Sequence, residues 1–178
     1  MPNQIDINLR VRALSYLTGL TYFAGIDSAP SQDLTISKSI SALNGTLTDQ
    51  VDQVYARRRS LASGATELLD LNGSTLKDVF GVNLSMLKLC MVLIINEDAD
   101  GTVNTTNLTV GAGTNQIPNI LGSVGATKIL RPGDIFLTAN FGASGMATIV
   151  PATGDELQIV NGAGATCNYQ IILAGRSV

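Results

Sequence analysis

Short runs of β-branched and other apolar residues recur along the whole chain, and Gly, Asn, Asp or Pro separates one run from the next. Runs of this length and spacing are typical of strands in an all-β protein. They predict twelve strands, over residues 8–16, 18–24, 33–40, 53–60, 66–71, 84–96, 107–110, 127–130, 134–139, 147–150, 156–161 and 166–174. Because one open sheet rarely holds so many strands, we expect two sheets face to face or a closed barrel.

The residues between these runs favour tight turns. Such turns need a positive φ, which Asn, Asp and Gly tolerate, and they are predicted at Asn44-Gly45, Asn72-Gly73, Asp100-Gly101 and Asn161-Gly162. The sequence therefore supports hairpins and sandwich connections over most of its length.

Helix signals are short. Thr75 and Asp78 have the spacing of a capping box, and Leu76, Val79 and Phe80 could form a small apolar face, so one short helix is predicted over residues 75–80. Residues 47–55 also fit a helical period, as an alternative to the strand that begins at residue 53.

Composition changes along the chain. Residues 1–50 are rich in Ser, Thr and Leu without a long apolar strand, whereas residues 51–178 carry the long apolar runs. We therefore predict an N-terminal arm or additional strands over residues 1–50, and a β-sandwich domain over residues 51–178.

The chain is poor in charge. Charged residues make up 14% of its 178 residues and hydrophobic residues 45%, whereas about a quarter of an average soluble protein is charged. Uncharged apolar surface promotes association, so we expect part of this surface to be covered by other chains.

Several chemistries lack their usual residues. The chain has no His and no Trp, its aromatic content is 4% and its net charge is −3. Without His, a Ser-His-Asp triad and most zinc and iron sites are unavailable. Few aromatics and a negative charge disfavour nucleic acid as a partner. We expect no enzyme activity, no cofactor and no metal.

Two further expectations concern location. Residues 1–6 lack the basic and apolar regions of a signal peptide, and the apolar run from Leu89 to Ile95 is far shorter than a membrane span. We expect a chain made in a cytoplasm, with no membrane partner. In that reducing compartment, Cys90 and Cys167 are predicted to be buried free thiols.

The segment from Asn96 to Asn107 is the one candidate for a cation. Its oxygen side chains at the first, third, fifth and ninth positions, with Gly101 at the sixth, resemble the spacing of a calcium loop. Asn107 stands where that loop needs a bidentate carboxylate. A polar hairpin loop is the alternative interpretation.

Arg57, Arg58 and Arg59 form the only dense positive charge. On a strand, Arg57 and Arg59 share one face and Arg58 points to the other. One interpretation is a charged strand edge that blocks unwanted pairing. The other is an interface in which these arginines meet carboxylates of a neighbouring subunit.

A resemblance adds to these inferences. The arginine-containing strand at 57–59, the Ser/Ala/Thr segment that follows it and the turn Asp70-Leu71-Asn72-Gly73 resemble a signature of small structural proteins of tailed bacteriophages. The resemblance covers about residues 50–178 and continues through residues 75–81, 84–96, 107–111, 131–133, 153–161 and 169–175.

The resemblance implies a virion protein with a jelly-roll-like β-sandwich. Members of this class decorate or cement the outer surface of a capsid, often as homotrimers bound between major capsid subunits. They have no catalytic residues. The alternatives are a tail or baseplate component, a receptor-binding module of the virion, and a β-sandwich without such a role. The scarcity of aromatics argues against a receptor pocket, and the absence of His against a cupin-like enzyme.

Overall fold

The structure is a computed structural model that describes residues 5–16, 31–73, 75–78 and 80–178. Every regular element in these ranges is a strand, so the expected all-β class is confirmed. The strands are β1 (Ile5–Tyr16), β2 (Ser31–Asn44), β3 (Gln50–Val51), β4 (Gln53–Leu61), β5 (Thr66–Asp70), β6 (Lys88–Ile95), β7 (Leu108–Gly111), β8 (Thr127–Leu130), β9 (Ile135–Ala139), β10 (Ala147–Thr148), β11 (Glu156–Asn161) and β12 (Cys167–Arg176).

The strands form three sheets. A five-stranded sheet has the order β10-β6-β12-β4, with β9 also paired to β6; a four-stranded sheet has the order β5-β11-β7-β8; and a third sheet has the order β1-β2-β3. The pairs within the first two sheets are all antiparallel. Consecutive strands from β4 to β7 alternate between these two sheets, so each of their three connections crosses from one sheet to the other.

The two larger sheets share one hydrophobic core. Tyr55 and Ile171 of the five-stranded sheet lie in the same buried cluster as Leu69 and Ile159 of the four-stranded sheet. Side chains of a strand alternate between its two faces, so each sheet places every second residue in this core. Separate sheets around a common core are consistent with a β-sandwich, and the closed barrel that the sequence also allowed is not formed by the described strands.

A bulge in β12 makes room for the start of β6. The register between these strands shifts at Ala174 and Gly175. A Cβ on Gly175 would lie 2.5 Å from the carbonyl oxygen of Lys88 and 2.7 Å from the sulfur of Met86. The backbones can approach this closely only because residue 175 has no side chain.

Two compact units are present. One is Asp6–Ser41 and the other contains Ile5 and Ala42–Val178. The sequence-predicted division between residues 50 and 51 falls inside β3. Within the smaller unit, Ser39 Oγ lies 2.8 Å from Asn8 Oδ1, and Ser41 Oγ lies 2.6 Å from Asp6 Oδ1, which shows that β1 and β2 run antiparallel.

The short helix predicted over residues 75–80 is not formed by its described residues. Val79 lies outside the described residues. Lys77 pairs with Asn83 in an isolated bridge, and the Asp78 carboxylate accepts hydrogen bonds from the backbone N–H groups of Phe80 and Val82, both at 2.8 Å. Asp78 therefore stabilises a turn instead of a helix, which is the competition expected of an Asp side chain.

Two other sequence predictions have different outcomes. Residues 47–55 are not helical, because β3 and the start of β4 occupy them. The strand predicted over 18–24 lies outside the described residues. No helix long and apolar enough to cross a membrane occurs in the described part of the chain.

Candidate functional site

The outward face of the five-stranded sheet is mostly aliphatic. Ala56 of β4 pairs with Ile172 of β12, Ile172 with Leu93 of β6, and Leu93 with Leu137 of β9. Their sequence neighbours point into the core, so these four side chains form one row across the outside of the sheet. Leu137 is 37% exposed, and the other three are partly exposed.

A second row lies beside the first. The register places Arg58, Gln170, Ile95 and Ile135 next to one another across the same four strands. Ile135 is 66% exposed. We call the two rows together the outer face; it consists of Ala56, Arg58, Leu93, Ile95, Ile135, Leu137, Gln170 and Ile172. Arg58 is its only charged residue.

A shallow groove of about 270 Å³ lies in the outer face, beside β4. Leu93, Ile95 and Ile172 contribute aliphatic lining, and Arg58 and Gln170 line its polar end. The groove exists partly because residue 56 is an alanine, whose side chain leaves space between β4 and its larger neighbours.

The outward face of the four-stranded sheet is different. Its central row consists of Thr66, Val160, Thr109 and Ile129. Two of these four are threonines, so this face mixes hydroxyl and apolar groups, as a face in contact with water commonly does. The aliphatic outer face is therefore a property of one sheet only.

The three arginines of β4 occupy three different environments. Arg57 turns toward the edge of the core, where its guanidinium lies 5.5 Å from the centre of the Tyr55 ring. It donates hydrogen bonds to the carbonyl oxygens of Lys77 at 3.1 Å and Asp78 at 2.8 Å. Arg57 therefore holds the segment that precedes β6 against β4.

Arg59 links the two sheets. Its guanidinium forms an ion pair with Glu67 of β5, and the hydroxyl of Tyr169 on β12 donates a 2.7 Å hydrogen bond to the other carboxylate oxygen of Glu67. Burial raises the pKa of Tyr169 above its ordinary value of 10.0, and the positive charge of Arg59 opposes this effect. The side chain of Glu67 is 13% exposed and that of Arg59 is 35% exposed, so this ion pair is partly shielded from solvent.

Arg58 alone reaches the outer face. Arg58 is exposed, and its side chain forms no hydrogen bond or ion pair with the residues that the structure describes. Of the three arginines predicted as an interface, the structure thus places Arg57 and Arg59 in contacts within the chain and leaves Arg58 available to a partner.

The segment with calcium-like spacing, residues 96–107, connects β6 to β7. Asn96 is fully buried, and its Oδ1 accepts hydrogen bonds from Asn104 at 2.8 Å and from the Cys167 thiol at 3.2 Å. Asn104 Oδ1 accepts a hydrogen bond from the backbone of Asn168 at 3.1 Å. The oxygens at the first and ninth positions of the loop are thus occupied by contacts within the protein. No group of three or more His, Cys, Asp or Glu side chains able to hold a metal was found among the described residues.

Both cysteines are buried free thiols, as the sequence predicted. Burial raises the pKa of Cys90 and of Cys167, which keeps both in the thiol form at neutral pH. A raised pKa lowers the fraction of thiolate, which is the reactive form of a cysteine.

The outer face was not predicted from the sequence, although a signal for it exists. Val92 and Ile94 face the core, yet Leu93 and Ile95, which alternate with them, are also apolar. A strand that is apolar at both alternating positions is typical of a sheet covered on both sides. Within the described chain, the contact found over the outer face is at one end, where Gln170 donates a 3.3 Å hydrogen bond to the carbonyl oxygen of Asp98.

Searches against protein-family models, curated proteins and solved structures found no match to the chain.

Proposed function

We propose that the protein is a non-catalytic structural protein of a tailed-bacteriophage virion. In this proposal it binds the major capsid protein between neighbouring subunits, on the outer surface of the capsid, and stabilises the head as a decoration or cement protein. The outer face carries the proposal, because a nearly charge-free aliphatic surface is costly in water and becomes favourable when another protein covers it.

The order of the strands supports a jelly-roll-like sandwich. The sheet containing β4, β12, β6 and β9 faces the sheet containing β5, β11, β7 and β8. Two four-stranded antiparallel sheets with crossing connections are a feature of jelly rolls, an architecture that many viral capsid domains use. This support is an analogy of fold, and the argument for binding depends on the outer face itself.

The smaller compact unit supports the N-terminal arm. In β1 and β2, Asn8 and Ser39 share one face by their hydrogen bond, so strand alternation places Leu9 and Ile40 on the opposite face. Leu9 is 50% exposed. Only the last two residues of β2 pair with β3, and a ribbon of two strands is marginally stable alone, so we expect β1 and β2 to be stabilised by contact with a neighbouring chain.

The mechanism is passive. A ligand that binds only the assembled capsid stabilises that state by mass action, in proportion to its concentration and affinity. If three copies form a trimer, three contacts act together, and each bound copy raises the effective concentration of the other two. No step of this mechanism needs a chemical reaction.

Two measurements test the proposal. Light scattering after size-exclusion chromatography gives the oligomeric state, and co-sedimentation with expanded shells assembled without this chain gives binding. We expect a trimer that sediments with the shells. A chain that stays in the supernatant would overturn the capsid proposal and favour a tail, baseplate or receptor-binding role.

A further inference from the structure

β4 is the open edge of the five-stranded sheet. Its nine residues, Gln53–Leu61, pair with β12 on one side only. In the described part of the chain, no other backbone segment pairs with β4. An edge of this length presents unpaired N–H and C=O groups that can accept an additional strand.

The charges on β4 give this edge little protection. Proteins often prevent edge pairing with charged side chains, and β4 carries three arginines. The side chains of Arg57 and Arg59 are engaged within the chain, by the carbonyl oxygens of Lys77 and Asp78 and by Glu67. One charge, that of Arg58, therefore remains on the outward side of β4.

The groove lies next to this edge on the same side of the sheet. Ala56 and Arg58 are two residues apart on β4, so their side chains are outward neighbours. Behind Ala56 the groove opens onto Ile172 and Leu93. A side chain opposite Ala56 on an added strand would cover this aliphatic lining, and one opposite Arg58 would meet a cation.

We propose that β4 is a docking edge for an extended segment of another protein, which adds to the sheet as a strand. The segment carries an aliphatic residue opposite Ala56 and a carboxylate opposite Arg58. Main-chain hydrogen bonds to the edge supply affinity, and alternate side chains supply specificity. Charge complementarity selects an acidic partner, because Arg58 is the only charge on the outer face.

The geometry also fixes a spacing. Side chains on one face of a strand are two residues apart, so the partner's carboxylate and aliphatic residue are separated by one residue. The inference rests on the proposed function only for the identity of the partner, which would be the major capsid protein.

The test is a nuclear magnetic resonance titration of the full ¹⁵N-labelled chain with a short synthetic peptide in which one residue separates an isoleucine from an aspartate, so that both lie on the same face of the added strand. We expect shifts at the amides of β4 and at Ile172 at millimolar peptide. Arg58→Glu should weaken binding roughly five-fold, since an opposed charge pair across two strands becomes a like-charge pair. A second peptide, with lysine in place of aspartate, should bind Arg58→Glu better than the original protein.

Arg131→Glu is the matched control, because it makes the same charge change at an exposed arginine outside β4. The spectrum of each variant reports its folding directly. The docking edge is overturned if β4 shows no shifts at millimolar peptide, if Arg58→Glu binds both peptides as the original protein does, or if Arg131→Glu has an equal effect.

The peptide titration and the shell experiment fail independently. A chain that binds the aspartate peptide at β4 but does not sediment with shells retains the docking edge and loses the proposed capsid role. A chain that sediments with shells but shows no peptide binding at β4 retains the capsid role and loses the docking edge.

Discussion

Asn161→Ala tests how one end of the sandwich is held together. The Asn161 side chain is almost fully buried, and its amide nitrogen donates to the carbonyl oxygens of Leu61 at 3.0 Å, Ala62 at 2.9 Å and Ala165 at 2.8 Å. Its oxygen accepts the Thr106 hydroxyl at 2.6 Å. A single amide thus connects the ends of β4 and β11 to the loops before β7 and β12.

The substitution removes the hydrogen bonds of two amide N–H groups, which are shared among three carbonyl oxygens, and the one hydrogen bond that the amide oxygen accepts. Each contributes about 1 kcal/mol net, and a buried partner left unpaired costs about 1–3 kcal/mol. The Leu61 carbonyl and the Thr106 hydroxyl are buried, whereas the other two carbonyls can reach water more easily. We therefore expect the free energy of unfolding to fall by about 3–5 kcal/mol.

Equilibrium urea denaturation measures this loss. The slope of the free energy of unfolding against urea concentration should stay unchanged if the native state stays compact. Asn140→Ala is the control, because Asn140 is exposed and accepts one hydrogen bond, from the backbone of Gly142 at 2.9 Å. Asn140→Ala should lower the free energy of unfolding by about 1 kcal/mol or less. Equal losses in the two variants, or a loss below about 1 kcal/mol in Asn161→Ala, would refute the reasoning.

Three further predictions concern single groups. Because Cys90 and Cys167 are buried with raised pKa values, a thiol reagent at mildly alkaline pH should label them at least about a hundred-fold faster in denaturant than in buffer; equal rates would contradict their burial. The pKa of Tyr169 is raised in the folded state, so its stabilising contribution is complete below the ordinary value of 10.0 and declines as the pH rises above it. The free energy of unfolding, measured by urea denaturation, should therefore fall more between about pH 9 and about pH 11 in the original protein than in Tyr169→Phe. An equal fall in the two proteins would contradict the shift. Ile135→Asp replaces a side chain that is 66% exposed, so the free energy of unfolding, measured by thermal denaturation, should change by no more than about 0.5 kcal/mol. A larger loss would place that residue in the core.

The strand pattern could be predicted because local sequence determines it. In β11, buried Leu157 and Ile159 alternate with less buried residues, and β4 follows the same period. The assignment of strands to sheets could not be predicted, since β4 pairs with β12 more than a hundred residues away. Alternation indicates which residues share a face but does not identify the strand that lies beside them.

What residue spacing could not predict has local physical causes. A capping-box spacing at Thr75 predicted a helix, but the Asp78 carboxylate bonds to the backbone of its own turn and so competes with helix formation. The calcium-like spacing did not reveal that Asn96 is buried and bonded to Asn104 and Cys167. Spacing specifies residue types, whereas the contacts of each residue depend on distant strands.

The candidate site was predicted only in part. Sequence alternation assigned Arg58 to the face opposite Arg57 and Arg59, and the structure has this arrangement. The partners of Arg57 and Arg59 come from other segments, so their roles within the chain had no signal on β4 itself. The outer face also needed the register of four strands, because its rows combine residues from 56 to 172.

The measurement that most directly tests the central claim is the melting temperature of expanded shells, assembled without this chain, after addition of three proteins: the original chain, Ile135→Asp and Ile129→Asp. Ile135 lies on the outer face, and Ile129, which is 55% exposed, lies on the outward side of the other sheet. We predict that the original chain and Ile129→Asp raise the melting temperature equally, and that Ile135→Asp raises it much less. No increase with the original chain, or equal increases with all three, would contradict a stabilising role exerted through the outer face.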